Sequence, residues 1–425
     1  MSMTILRMAV GVAVFTSAMA LRGQTLSECQ QAAQQNYPLI ERFDLIGKTT
    51  AYTLDNIQKG WLPQVSATAQ ATLQSDVASW PDNMKPMLLQ MGVDFRGLKR
   101  DQYRIGVDVS QTVYDGGSIK NQKEMARLQG KVEAAENEVN LYAVRKRVNE
   151  LYFSLLLIDS RISLNKDLQE VFIANERKLA SMLKEGTAAE SDYNSVKAER
   201  LNVEQQTTNL TAQRNTLKML LSALCGIEVE KPIMPDETDI SDRNNRPELR
   251  LIDTQLMLAD AKEKMLDSQL LPRLSVFASG FYGYPGYNMF DDMMNRRWSL
   301  NGMIGTRLTW NIGALYTRKN DKAKIRLQRE EAENLRSVFL FNNNIDRLQQ
   351  SENIKRYKTL MESDMEIINL RSSVRKAAES KLSHGIIDVN DLVKEINNEN
   401  AARLQLSIHK IEMLKEMYDL NFTTN

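Results

Sequence analysis

The sequence has few of the side chains that build catalytic and metal sites. Only two histidines and two cysteines occur among 425 residues, and Cys29 and Cys225 have no partner at the spacing of a metal or redox motif. No nucleophile elbow, zinc-protease motif or phosphate-binding loop is present. We therefore expect a protein that is not an enzyme, with no catalytic residues and no bound metal or cofactor.

The two cysteines leave one question open. Both lie near the ends of predicted helices in the first half of the chain. They could pair in a disulfide, or each could fill a small apolar space as a free thiol. The second interpretation needs no special geometry, and the spacing alone does not separate the two.

The charge balance argues against another group of functions. The chain has 55 lysines and arginines against 54 aspartates and glutamates. It lacks the basic excess that attracts nucleic acid, and it lacks an acidic excess as well. We expect no nucleic-acid partner.

Long hydrophobic runs are also scarce, and the one that exists lies at the N-terminus. Residues 8–21 are apolar, follow Arg7 and end in small side chains, which is typical of a secretory signal peptide. We place this peptide at residues 1–23, with cleavage between Ala20 and Gln24, so the mature chain is exported. No later run is long and apolar enough for a transmembrane helix. If the mature chain lies in a membrane, β-strands must hold it there.

Helix-breaking residues are almost absent from one long stretch. Between Lys120 and Leu183 there is no proline, and Gly130 is the only glycine. Apolar residues follow one another there at alternating steps of three and four, the spacing of a coiled-coil seam: Leu141, Val144, Val148, Leu151, Leu155, Ile158 and Ile162. At 1.5 Å per residue the stretch predicts a helix about 95 Å long, which a globular domain of this size cannot bury.

The second half of the chain repeats the first. Each half has two prolines 25 residues apart and, farther on, a glycine followed six residues later by an aspartate. These are Pro38, Pro63, Gly186 and Asp192 in the first half, and Pro247, Pro272, Gly385 and Asp391 in the second. Each half is therefore predicted to contain a helix, two strands joined by a loop, a long helix, a glycine turn and a return helix.

Four segments of alternating polarity predict the strands. From Val65 to Leu73, apolar residues alternate with glutamine, serine and threonine. The segments are about 11 to 13 residues long, enough to cross a bilayer at a tilt. A half-buried soluble sheet would alternate in the same way. The scarcity of charge on the polar side favours a membrane, as do Trp298 and Trp310 at the two ends of the last strand, where an aromatic girdle is expected.

Four strands cannot close a barrel, and an open sheet edge is not stable in hydrocarbon. Copies of the chain must therefore share their strands. Three copies would supply twelve strands, enough for a water-filled pore, together with twelve helices for a surrounding wall. A homotrimer is the simplest closed assembly, although four chains would close as well.

Several short motifs resemble the TolC-type outer-membrane efflux proteins. They are residues 25–29, 36–38, 62–65 and 113–117, and the two glycine turns. The order of the elements carries the resemblance, which covers essentially the whole mature chain. It implies an α+β membrane fold in which four strands per chain join a trimeric twelve-strand outer-membrane β-barrel, continued by an α-helical coiled-coil tunnel across the periplasm.

The resemblance also implies a function and partners. The trimer would be the exit duct of a tripartite efflux or type I secretion system, passively conducting substrates through the outer-membrane lipid. Its partners would be a periplasmic adaptor and an inner-membrane pump or ABC transporter. The alternative is a periplasmic or surface coiled-coil scaffold that binds partner helices and forms no channel.

The repeat and the resemblance together divide the chain into predicted segments. They are a signal peptide (1–23), the N-terminal helix of repeat 1 (24–62), a transmembrane β-hairpin (63–115, extracellular loop 76–101), a periplasmic helical hairpin (116–226, tip near 184–192), a connector (227–246), the helix of repeat 2 (247–271), a second β-hairpin (272–312, loop 285–297) and a second helical hairpin (313–425, tip near 381–391).

The glycine turns are the predicted functional sites. Local chemistry gives them capping roles, with residues 187–190 as a capping box, and Asp388 and Asp391 as caps of the return helix. The resemblance implies in addition that acidic residues here narrow the tunnel mouth, which makes Asp391, Asp388 and Asp192 the candidate gate.

The resemblance further implies that the turns contact the adaptor. The matching positions are Gly186, Thr187, Gly385 and Ile386. Where the type member of the family has a tyrosine, an arginine and a second aspartate around the later turn, this chain has Leu382, Ile387 and Lys394. We therefore do not expect that latch, although Lys394 could pair with Asp391 or Asp388.

Overall fold

The computed structural model describes residues 23–92, 96–238 and 244–424. Apart from Gly23, the predicted signal peptide lies outside the described residues. In chain order the helices and strands are α1 (Leu26–Asn36), α2 (Leu39–Gln58), β1 (Gln64–Leu73), α3 (Lys85–Gln90), β2 (Asp101–Tyr114), α4 (Ser118–Lys184), α5 (Glu190–Cys225), α6 (Pro247–Ser268), β3 (Arg273–Tyr284), α7 (Met289–Asn295), β4 (Ser299–Thr309), α8 (Ala314–Ser383) and α9 (Val389–Thr424).

This order is the predicted duplicated one, with one difference at the start. The N-terminal segment of repeat 1 forms two helices instead of one. Tyr37 has extended backbone angles (φ −69°, ψ 131°), because the ring of Pro38 disfavours the helical conformation in the residue before it. The helix of repeat 2 has its proline, Pro247, in the first turn, where a missing N–H costs nothing.

The chain forms two compact units. The first contains the described parts of residues 1–40, 141–245 and 343–425, and the second contains residues 41–140 and 246–342. Helices α4 and α8 contribute to both. None of the described helices combines the length and the apolar character needed to span a bilayer.

In the first unit, α4 and α5 form one helical hairpin (hairpin 1), and α8 and α9 form another (hairpin 2). The predicted seam of α4 lies in the core of this unit: Leu141, Val144, Val148 and Leu155 are buried, and Leu151, Ile158 and Ile162 are half-buried. Tyr152 is fully buried beside this seam. Its hydroxyl donates to the carbonyl of Gln24 at 2.7 Å and accepts from the N–H of Ile233 at 3.0 Å.

The second unit contains an antiparallel sheet in the order β1-β2-β3-β4. The loops that follow β1 and β3 each contain a short helix, and they pack on each other through Leu98, Tyr284 and Met293. Buried Asp292 accepts a 2.6 Å hydrogen bond from the N–H of Gly286. The backbone N–H of Lys99 in the first loop donates to the Tyr284 hydroxyl at 3.0 Å. The described parts of the two loops therefore form one cluster.

Candidate functional sites: the sheet and the hairpin turns

The register of the four strands places their apolar residues on one face of the sheet. Ala69, Ile105, Tyr282 and Leu300 are paired across the strands in one row, and Val65, Val109, Ala278 and Ile304 in another. Since side chains alternate between the two faces of a strand, every other row along the sheet is apolar. One face of the sheet is therefore apolar and the other predominantly polar.

The apolar face is the exposed one. Leu300 is 81% exposed and Ile304 is 78% exposed. Their neighbours in the same rows, Ile105, Tyr282 and Val65, are exposed as well. A soluble sheet with one apolar face buries that face against its own core. Here, within the second unit, the large aliphatic side chains point away from the protein.

Two aromatic residues, Phe277 and Phe281, lie on the polar face, so polar and apolar residues alternate less regularly in β3 than in β1. Phe281 is buried, and the guanidinium carbon of Arg104 lies 3.8 Å from the centre of its ring. Arg307 covers the ring of Phe277 in the same way, at 4.8 Å. A Cβ atom at Gly106 would lie 2.9 Å from the Cβ of Phe281, so glycine there makes room for the ring. The arginines supply a polar covering over both rings.

The predicted aromatic residues flank β4. Trp298 precedes this strand, and its ring lies 5.4 Å from Tyr282 and 6.0 Å from Tyr103, centroid to centroid. Trp310 follows the strand, and its indole N–H donates to the carbonyl of Leu270 at 2.9 Å. Both tryptophan side chains are exposed.

The outer strands of the sheet are β1 and β4. Within the described chain each pairs with one neighbour only, β1 with β2 and β4 with β3. Each therefore has a row of backbone N–H and C=O groups available for another strand.

The two glycine turns have the same geometry. Gly186 and Gly385 both adopt positive φ, at 71° and 67°. In each turn the residue after glycine donates its N–H five residues back, from Thr187 to Met182 at 2.8 Å and from Ile386 to Lys381 at 3.0 Å. This is the Schellman motif, in which glycine supplies the left-handed conformation that ends a helix. Both glycines are exposed.

The return helices begin differently. The Asp388 carboxylate accepts the N–H of Asp391 at 2.9 Å, so Asp388 is the N-cap of α9, as predicted. The capping box predicted at residues 187–190 is wrong. The Thr187 hydroxyl donates back to the carbonyl of Met182, and α5 begins after Ala189, whose N–H donates to Asp192 at 3.3 Å. Alanine has no side-chain oxygen, so Asp192 supplies the only side-chain contact of this cap.

Asp391 differs from both other acids of the candidate gate. Its side chain is exposed and forms no hydrogen bond or ion pair with any described residue. Among the described residues, Lys394 forms no ion pair with Asp388 or Asp391, so the pairing considered for it is not found. Exposed His384 bonds through Nδ1 to the carbonyl of Ser380 at 2.7 Å.

An apolar cluster joins the two hairpins near their turns. Its buried members come from all four helices: Leu168, Phe172, Leu179, Val196, Val203, Ala378, Leu382, Val389, Leu392 and Ile396. Ile387 packs against its edge. The tips of the two hairpins are therefore held together by hydrophobic burial within one chain.

Helix α8 also carries a row of apolar side chains, outside the cluster of the hairpin tips, that the chain itself leaves exposed. Its members are Ile345 and Leu348, followed by Leu360, Ile367, Leu370 and Val374 at heptad steps of seven, three and four. The seam of α4 lies inside the first unit, whereas this row on α8 has no partner helix in the described chain.

Solved structures of outer-membrane proteins share this arrangement. The outer-membrane channel OprN matches with a TM-score of 0.67 at 14% identity, covering 94% of this chain and 90% of that one. The outer-membrane protein VceC of Vibrio cholerae matches at 0.66 and 13%, over 93% and 96% of the two chains. The outer-membrane channel CmeC of Campylobacter jejuni matches at 0.65 and 14%, over 94% and 85%. The chain has the TolC-like outer-membrane channel fold. No family model and no curated protein matches at the level of sequence.

Within this TolC-like fold, two of the positions where the type member of the family has its latch residues carry apolar side chains that are packed. Leu382 is buried in the cluster of the hairpin tips, and Ile387 is half-buried beside it. The structure thus places apolar contacts where the type member has a tyrosine and an arginine, in agreement with the expectation that this latch is not formed here.

The sequence interpretation missed the ion pairs that cross each hairpin. In hairpin 1, Arg200 contacts Glu176, and in hairpin 2, Arg375 contacts Glu399. The signal was present, because both pairs are separated by 24 residues and straddle a glycine turn. It also missed His409, whose Nδ1 lies 2.5 Å from a carboxylate oxygen of buried Asp364.

Proposed function

We propose that this chain is the outer-membrane exit duct of a tripartite efflux or type I secretion system. Three copies would close their sheets into a twelve-strand barrel in the outer membrane. Their helical hairpins would form a tunnel across the periplasm. The duct makes and breaks no bond; a separate pump supplies the energy, and the duct supplies a polar path.

The observation that carries this proposal is the exposed apolar face of the sheet. Rows of valine, isoleucine, leucine and tyrosine face outward, and the polar rows lie on the opposite face. This is the polarity of a membrane barrel, with lipid outside and water inside. In a soluble scaffold the same face would expose large aliphatic side chains to water at a cost of about 25 cal/mol per Å².

Two further surfaces support assembly from identical copies. The edges of β1 and β4 need strand partners, which a neighbouring copy supplies when β4 of one chain pairs with β1 of the next. The exposed row on α8 needs a helix partner, and a neighbouring copy supplies that as well. One symmetric assembly satisfies both requirements, and three copies are the smallest set that leaves a pore.

The proposed topology follows from the ends of the strands. The cluster formed by the described parts of the loops after β1 and β3 would lie at the cell surface, and the glycine turns at the periplasmic end. Trp298 and Trp310, at opposite ends of β4, would mark the two membrane interfaces, because indole rings prefer the head-group region.

We assign the gate and the adaptor contact to the hairpin tips. Of the candidate acids, Asp391 is the best placed to face the tunnel mouth, because its carboxylate is exposed and takes no part in a cap. Asp388 and Asp192 are each used to begin a helix. Exposed Gly186, Thr187, Gly385 and Ile386 are the proposed contact with the periplasmic adaptor, which would recognise two turns of identical backbone geometry.

Reconstitution separates the duct from the scaffold. The purified protein, added to a planar lipid bilayer, is expected to give discrete conductance steps and to run as a trimer after cross-linking. A monomer that gives no steps would favour the coiled-coil scaffold. Copurification of an adaptor and a pump from native membranes would then test the tripartite assignment.

A further inference from the structure

The two cysteines of the chain lie next to each other in the first unit. Cys29 is on α1 and Cys225 is the last residue of α5, and their exposed fractions are 0% and 1%. The Cys225 thiol donates to the backbone carbonyl of Cys29 at 3.4 Å. Residues 196 apart in sequence are thus in side-chain contact.

The surrounding backbone fixes this contact at a second point. The side-chain amide of Asn36, at the end of α1, donates to the carbonyls of Ala223 and Leu224 at 3.3 Å each. Gly226 ends α5 with φ of 68°, and a Cβ atom there would lie 2.4 Å from the Asn36 side chain. The close approach of α1 to the end of α5 therefore depends on a glycine and an asparagine, and it holds the two sulfurs together.

We propose that Cys29 and Cys225 form a disulfide, and that this bond is made when the chain folds in the compartment to which it is exported. The oxidant is a protein or small-molecule disulfide. One thiolate attacks a sulfur of that disulfide and releases its other sulfur as a thiol. The second cysteine then attacks the mixed disulfide, which forms the Cys29–Cys225 bond and releases the remaining thiol. Two thiols lose two protons and two electrons, and the oxidant takes up both.

The two thiols have different environments in the folded chain. The hydrogen bond with Cys225 and burial both raise the pKa of the Cys29 thiol. The same hydrogen bond lowers the pKa of Cys225. Both thiols are buried in the folded chain, so the exchange with an external disulfide takes place during folding, before the packing of α1 on α5 encloses them.

The bond would tie the first helix of the mature chain to the end of α5. The loop that it closes contains β1, β2 and all of hairpin 1. A cross-link over so long a loop restricts the unfolded chain more than the folded one, and so stabilises the fold. A reducing agent is then expected to lower the unfolding temperature of the oxidised protein.

The test counts free thiols in the full-length mature protein. Protein is purified from the cell envelope without reductant and denatured. One sample is alkylated directly and a second is alkylated after reduction. The masses of the peptides are then measured by mass spectrometry. We expect no alkylated cysteine before reduction, two after it, and a linked peptide pair about 2 Da lighter than the sum of the reduced peptides. Reduced protein refolded with oxidised glutathione is expected to give the same result.

Serine variants provide the controls. In Cys29→Ser and in Cys225→Ser, the remaining thiol is expected to be alkylated without reduction, and the double variant is expected to unfold at a temperature that reductant does not change. Two free thiols in the wild type after treatment with oxidised glutathione would overturn the proposal, as would a linkage between chains. Conductance measured on the same sample keeps the two proposals separate, because two free thiols in a sample with normal conductance overturn only this one.

Discussion

Arg200 on α5 donates a 2.8 Å hydrogen bond to Glu176 on α4. The second hairpin has the same contact with the charges exchanged, because Arg375 and Glu399 occupy the positions 199 residues farther along. The two glycine turns are separated by the same 199 residues. The duplicated hairpins have therefore kept the position of the cross-hairpin ion pair and changed its direction.

Neutralising Glu399 is expected to destabilise the fold more than neutralising its neighbour on the same helix. Glu399 is only 5% exposed and accepts from both Arg375 and Arg403, so Glu399→Gln leaves Arg403 without its counter-charge and Arg375 with Glu379 alone. The expected cost is about 2–4 kcal/mol of unfolding free energy. The control is Glu395→Gln, one turn earlier, which loses the 3.5 Å ion pair with exposed Arg371, keeps an amide oxygen for the hydrogen bond from Asn398, and should cost less than about 1 kcal/mol. Denaturant unfolding followed by helical circular dichroism measures both, and equal losses would contradict this account of the pair.

The stability of the first unit is expected to depend on the ionisation of Asp419. Burial raises the pKa of this carboxyl, and the hydrogen bond from Asn149 offsets only part of that effect. A raised pKa in the folded state means that ionisation favours the unfolded chain as pH increases. Asp419→Asn is therefore expected to unfold at a higher temperature than the wild type at pH near 8, with the difference vanishing below about pH 4.

The control for that prediction is Glu366→Gln, which removes a negative charge at an exposed position of α8. It should leave the unfolding temperature nearly unchanged at both pH values. A wild-type protein more stable than Asp419→Asn at pH 8 would show that the charge is compensated in the fold.

Alanine substitutions at the second turn separate capping from gating. Asp388→Ala removes the 2.9 Å bond to the N–H of Asp391 and is expected to cost about 1 kcal/mol of unfolding free energy. Asp391→Ala removes no described contact, so its unfolding should match the wild type while its single-channel conductance changes. Unchanged conductance and transport in Asp391→Ala would leave the acid without a gating role.

The local pattern of the sequence predicts most of the fold. The seam from Leu141 to Ile162 predicts a long helix, because apolar residues at steps of three and four fit the period of a helix and not that of a strand. Gly186 and Gly385 predict the turns, because the left-handed cap of a helix favours glycine. The alternation from Val65 to Leu73 predicts a strand and its two faces. It does not say which face is exposed, and this is what distinguishes a soluble sheet from a membrane one.

What the sequence could not predict depends on contacts between distant residues. The cap at Ala189 has no capping side chain of its own, so the start of α5 became visible only from the bond to Asp192. Phe281 breaks the alternation of β3 until Arg104 is seen to cover its ring. The contact between Cys29 and Cys225 needs the packing of α1 on α5, which no local pattern contains.

The most direct test of the proposed barrel places a charge on each face of one strand. Ile304 and Met303 are adjacent on β4 and exposed, with Ile304 on the apolar face and Met303 on the opposite one. In a barrel wall, Ile304→Arg puts a charge against lipid at a cost of about 2–4 kcal/mol, whereas Met303→Arg puts it in water. The measurement is the fraction of protein that floats with lipid vesicles as a folded trimer. We expect Ile304→Arg to lose most of that fraction and Met303→Arg to keep it; equal insertion of the two variants would contradict the barrel.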